Sequence, residues 1–185
     1  GAAAAEFYLH APTVIPRSGA AAVRRLLELF PEPMRRATPE LLHVRGLLDW
    51  VHWDFPAMLA DFEGAEAGFA AQEDAPRAGL ARAFRATAMI ARGRFLEARE
   101  LLRDLQSGSV APAARIMALN AEIWLAIDTG RLAGVAPLLA RMLDLLQEAD
   151  RVDLWYHTTP PNRLPGLPGI GPALPCHPRY LFRKP

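Results

Sequence analysis

Apolar side chains recur along most of the chain at intervals of three and four, in blocks cut by short polar turns. Leu26, Leu27 and Phe30 mark one face of a helix over residues 20–30, which Ser18 can cap and Pro31 and Pro33 end. Thr38-Pro39-Glu40 then supplies a hydroxyl cap, a proline at the first helical position and a first-turn acid; the helix it starts runs to about Val51. After Asp54 and Pro56 the apolar stripe is Leu59, Phe62, Ala65 and Phe69. Glu66 falls at the edge of that stripe and needs a partner or an open rim, because an unpaired buried carboxylate is costly. Asp74 and Pro76 open the next helix, and Gly93 suits the left-handed cap that ends it. Leu101, Leu102 and Leu105 form the following stripe, which stops at Ser107-Gly108. Ser109 and Pro112 restart the pattern and Gly130 closes it. The last strong helix spans Val135–Ala149, with Leu138, Leu139, Met142, Leu145 and Leu146 facing inward and Pro137 tolerated in the first turn.

The turns repeat as well. Trp53-Asp54-Phe55, Gly93-Arg94-Phe95 and Gly130-Arg131-Leu132 place Phe55, Phe95 and Leu132 at intervals of 40 and 37 residues. Each reads as the tight turn of a helical hairpin, giving three helix pairs behind one leading helix. The expected fold is all-α: an αα-superhelix of stacked antiparallel helix pairs over residues 18–156. Residues 1–17, with Pro12 and Pro16 around Val14-Ile15, read as an irregular lead-in. Residues 157–185 read as a Pro-rich basic tail or linker. Pro160, Pro161, Pro165 and Pro168 begin a density that helix and central strand do not tolerate, and Arg163, Arg179, Arg183 and Lys184 stand there without an acid. A sharper expectation is that Leu164, Leu167 and Ile170 dock on the stack and cover its last face.

Composition agrees with helix: 51% of the 185 residues are apolar, alanine is abundant, and valine and threonine are too sparse for a large sheet. The formal net charge of +1 implies no polyanionic partner, so no direct nucleic-acid contact is expected. No apolar run approaches the roughly 20 residues that cross a bilayer, the opening Gly1-Ala2-Ala3-Ala4-Ala5 lacks the basic residues expected of a signal peptide's start, and Cys176 is the single cysteine. The expectation is a cytoplasmic chain without membrane contact, whose small, uncharged first residues look like a fragment boundary.

The hairpins resemble tetratricopeptide-like repeats, in which the turn is followed by a small residue and then by apolar positions one and two turns later. The matching sets are Asp54, Phe55, Met58, Phe62 and Ala65; Arg94, Phe95, Ala98, Leu102 and Leu105; and Arg131, Leu132, Val135, Leu139 and Met142. Only Ala98 is small at its site, and Arg45, Arg85 and Glu122 stand where the family's first helices are apolar. More narrowly, the run from Leu26 through Pro31-Glu32-Pro33-Met34 to Thr38-Pro39-Glu40 and Arg45-Gly46 looks like the helical sensor region of MalT-type, LuxR-class transcriptional regulators. That resemblance implies a segment that receives a protein or effector signal within a larger ATPase. With Lys184 as the only lysine, the chain itself carries no Gly-x-x-x-x-Gly-Lys phosphate loop.

Two candidate faces follow from the first helices of the pairs. One is a polar stripe of Arg45, Asp49 and His52, then Arg82, Arg85 and Arg92, then Glu122 and Thr129, whose arginines could grip an acidic peptide or phosphate. The other assumes ordinary repeat geometry: His43, Leu47, Trp50, Thr87, Ile90, Asn120, Trp124 and Ile127 then line an apolar groove with aromatic anchors. The two assume opposite faces. Arg45, Trp50, Arg82, Arg85, Arg92, Asn120 and Trp124 are the candidate partner-binding residues. Catalysis is not expected: His43 and His52, nine apart, lie on opposite sides of one helix, and Cys176-His177 lacks the companions a zinc site needs. No cofactor is expected. The function that emerges is non-catalytic binding of a protein, a peptide or a small effector, either as a regulator's sensor segment or as a free-standing adaptor. Dimerisation through an end helix is compatible with a repeat stack.

Overall fold

The computed structural model describes residues 1–107 and 110–158, and every regular element among them is a helix. Three leading helices come first: α1 (Ala2–Ser18), α2 (Ala20–Leu27) and α3 (Glu32–Ala37). Three pairs follow: α4 (Pro39–His52) with α5 (Phe55–Ala71), α6 (Ala75–Ala91) with α7 (Phe95–Ser107), and α8 (Pro112–Asp128) with α9 (Val135–Ala149). A short α10 (Val152–Thr158) closes the described chain. Each pair packs internally, α5 packs on α6, and α6 on α8. No helix among the described residues is long and apolar enough to cross a membrane.

The caps are partly those expected. Asp54 accepts from the Ala57 amide at 3.1 Å and Asp74 from the Arg77 amide at 3.0 Å. Thr38 makes no side-chain cap bond, so Pro39 at the first position and the turn itself start α4. Ser18 ends α1 rather than capping α2, whose N-cap is Gly19 at φ 83°.

The largest departure is at the start. Residues 1–17 are not irregular: α1 is a helix with Pro12 and Pro16 inside it. Each proline removes one backbone donor, a cost of about 3 kcal/mol in a helix interior. Against that cost, Ala4, Tyr8, Ala11 and Ile15 form one apolar stripe, all buried, and α1 packs on α4 and α10. Burial outweighs the missing bonds. At the other end, α10 carries the helix two residues past 156, the expected end of the repeat domain, with His157 and Thr158 buried. The rest of the expected tail, including Leu164, Leu167 and Ile170, lies outside the described residues.

The core is aromatic at its centre. Phe62 and Phe84 stack at 4.8 Å with an interplanar angle of 6°, joining α5 to α6. His43 meets the rings of Tyr8, Phe62 and Phe84 edge-on, at 5.1, 5.1 and 5.8 Å. Helices α4 and α5 approach closely because Gly46 faces the Phe62 ring and Gly68 faces Pro39. A Cβ on Gly46 would stand 2.7 Å from the nearest Phe62 carbon. Ala98, the small residue of the second hairpin, is fully buried, with Leu102 and Leu105 behind it. The third hairpin is looser. It begins with a single 3-10 turn, Leu132–Gly134, and Leu132 is 63% exposed.

Candidate functional site

Helices α4, α6 and α8 are the first members of consecutive pairs, so their like ends share one side of the stack. Two clefts lie along them. The first, about 510 Å³, is bounded by α1, α4, α6, α8 and α10 and lined by Tyr8, His43, Leu47, Arg77, Phe84 and His157 among others. The second, about 190 Å³, gathers Trp50, Trp53 and Phe55 from the first hairpin, Thr87, Ile90 and Ala91 from α6, and Trp124 and Asp128 from α8.

In the larger cleft the polar groups are held among apolar ones. The Arg77 guanidinium lies 4.8 Å from the Phe69 ring centroid and 5.7 Å from that of Tyr8. It donates to Glu40 at 3.0 Å and Asp74 at 2.6 Å, so one side chain ties α6 to the start of α4. Burial pushes the Tyr8 phenol up to about 12, with Arg77 and Arg151 pulling the other way. His43 is buried, its Nδ1 has no hydrogen-bond partner among the described residues, and its pKa is pushed down to about 3. Burial is the main cause, with the charges of His157 and Arg77 adding to it. His43 is therefore a neutral, structural imidazole at ordinary pH.

The second cleft is an aromatic corner. Trp50 and Trp53 are nearly parallel, 9° apart at 6.5 Å, and Phe55 meets them edge-on at 6.2 and 5.6 Å. Trp53 is 42% exposed and sits in the left-handed region at φ 61°. The corresponding turn positions in the other two hairpins are Gly93 at φ 74° and Gly130 at φ 72°. Burial raises the Asp128 carboxyl above its ordinary value.

On the polar stripe expected along the first helices, the arginines of α4 and α6 have partners within the chain. Arg45 pairs with Asp61 at 3.0 Å and, with Asp49, lines a small polar cleft shared with Arg24, Glu28 and Arg35 of the leading helices. Arg82 and Arg85 both donate to Glu66, each at 2.7 Å, which supplies the partner that Glu66 requires. These arginines each reach a carboxyl group of α5. Arg92 is exposed at the C-cap of α6. His52 lies apart from His43, within 3.5 Å of Arg24 and 2.6 Å of the Leu48 carbonyl.

The apolar alternative fares better. Trp50, Thr87, Ile90 and Trp124 meet in the aromatic cleft, while His43 and Leu47 line the larger one. Asn120 does not reach the aromatic cleft: it is buried, and its Nδ2 has no partner among the described residues. Sequence reasoning misses Trp53 and Asp128 as site residues. The available signal was a tryptophan at the turn position that glycine holds in the other hairpins. Among the described residues no group of three His, Cys, Asp or Glu side chains could hold a metal ion. No protein family, curated protein or solved structure matches the chain.

Proposed function

We propose that the chain is a non-catalytic recognition module that receives its ligand on the face of α4, α6 and α8. One observation carries this reading. Trp50, Thr87, Ile90 and Trp124, from three consecutive first helices, converge on one open cleft, although 74 residues of sequence separate the two tryptophans. Aromatic anchors grouped in a partly desolvated pocket are the usual carriers of binding energy. The finer architecture we infer is a tetratricopeptide-like superhelix. It is supported by the three hairpin turns, by the buried Ala98, and by Met58, Phe62 and Ala65 at the matching buried positions of the first pair. The role we infer is the sensor segment of a MalT-like regulator in the cytoplasm, on the strength of the sequence resemblance around residues 26–46. A protein, a peptide or a small effector would supply the signal.

A thermal-shift panel of peptides and small metabolites, run on the native chain and on Trp124→Ala, tests the face. A ligand at a hundredfold excess over its Kd adds about 2.7 kcal/mol to folding stability. The reading expects such a shift in the native chain and its loss in the variant. A ligand that shifts both chains equally would move the site elsewhere.

A further inference from the structure

The aromatic cleft has a chemistry of its own. Three indoles and a phenyl ring line a small space, and its polar side chains are Thr87 and the Asp128 carboxylate. Ring faces carry negative electrostatic potential, so a cation is the ligand they attract, and a nearby carboxylate adds Coulombic pull. Partial burial already penalises the Asp128 charge, and a bound cation would relieve that penalty. At about 190 Å³ the space is below the roughly 300–1,000 Å³ of sites that hold drug-sized ligands, so the occupant is a head group of few heavy atoms. A compact ammonium that is strongly hydrated gains little from aromatic walls, whereas alkylation weakens its hydration and gives it apolar surface to bury.

The backbone supplies a second, independent observation. Trp53 occupies a left-handed position at φ 61° where glycine would be free of strain, and a non-glycine residue there costs roughly 1–2 kcal/mol. The other two hairpin turns use Gly93 and Gly130 at that place, while Glu73 at φ 58° and Asp150 at φ 46° show that turns between other helices also accept a non-glycine residue there. Trp53 is 42% exposed, so the position leaves it at the surface rather than in the core. What the left-handed turn achieves is to set that ring against Trp50 and Phe55 at the mouth of the cleft.

We infer that Trp50, Trp53, Phe55 and Trp124, with Asp128, form a binding site for a small quaternary-ammonium solute. This deepens the recognition reading above and rests on it. The site makes non-covalent contacts only: the cation sits against the indole faces and the Asp128 carboxylate balances its charge.

The test titrates the full chain with choline and with 3,3-dimethylbutan-1-ol, its uncharged carbon isostere, following tryptophan fluorescence. Choline is expected to saturate, and the isostere to bind about tenfold more weakly or not at all. Asp128→Asn is expected to weaken choline severalfold without changing the isostere. Trp53→Gly is expected to unfold at the same temperature as the native chain or higher, yet to lose choline binding, a combination that a purely structural tryptophan would not give. Equal affinity for choline and its isostere would overturn the cation site while leaving an apolar recognition face in place. A peptide bearing trimethyllysine that binds at least tenfold more tightly than choline would overturn the small-solute assignment. Choline binding that survives both Trp53→Gly and Trp124→Ala would overturn the site's location; loss of the thermal-shift ligands in Trp124→Ala would still support the face.

Discussion

Two buried groups of opposite pH response make the strongest quantitative prediction. His43 is held neutral in the folded chain, its pKa pushed from 6.5 down to about 3, chiefly by burial. A folded pKa below the unfolded one means that the unfolded chain binds the extra proton first. Stability from this group is therefore complete above pH 6.5 and is lost as the pH falls toward 3. Asp61 is the reverse. Burial lifts its carboxyl from 3.8 to about 7; Asp49 adds to the rise through its charge and its hydrogen bond, and Arg45 opposes it. Here the folded chain keeps the proton longer, so stability is lost as the pH rises from 3.8 toward 7.

Between pH 7 and pH 5 the two effects run against each other. Acidification costs about 2 kcal/mol through His43 and returns about 2 kcal/mol through Asp61, at up to 1.36 kcal/mol per pH unit for each group. The native chain is therefore expected to show almost no net response from this pair. Asp61→Asn removes one side of the balance with little change of shape. Urea unfolding of both chains at pH 5 and pH 7 is the assay. The variant is expected to lose about 2 kcal/mol more than the native chain on acidification, somewhat less where Asp49 keeps a raised pKa of its own. Parallel pH dependence in the two chains would refute the reasoning, because Asp61 would then be ionised by Arg45 like an ordinary surface carboxylate.

Three further substitutions probe the packing. Gly46→Ala should destabilise by about 1–3 kcal/mol in a denaturant melt even though alanine is the better helix former by roughly 1 kcal/mol, since its Cβ would meet a Phe62 ring already stacked on Phe84. A rise in stability would mean that the ring can step aside. Ala98→Arg should cost about 1–3 kcal/mol or more by overpacking the second hairpin, and an unchanged melting temperature would contradict the repeat register. Glu66→Gln should cost about 2 kcal/mol, because Arg82 and Arg85 lose the charge of their shared acceptor; the loss should shrink when both arginines are also replaced.

Much of the pairing was legible because local chemistry and hydrophobic period agreed. Asp54 and Asp74 cap as their positions suggest, Val135–Ala149 is helical over the expected span, and Glu66 finds cationic partners. The first helix was illegible because two prolines outvoted the stripe of Ala4, Tyr8, Ala11 and Ile15, and only tertiary burial shows which signal wins. The partners of the arginines were illegible for a related reason. Helical spacing tells which residues share a side, but not that Asp61 and Glu66 on α5 wait opposite them. The aromatic cleft was half visible: Trp50 and Trp124 could be placed on one face, whereas Trp53 enters it through a left-handed turn that periodicity does not encode.

The central claim is that recognition occurs on the face of α4, α6 and α8. A crystal structure of the chain with a ligand from the thermal-shift panel tests it most directly. The account expects that ligand to touch Trp50 and Trp124 while the Arg82–Glu66–Arg85 cluster stays intact. A ligand seated against α5, α7 and α9, with the aromatic cleft empty, would contradict it.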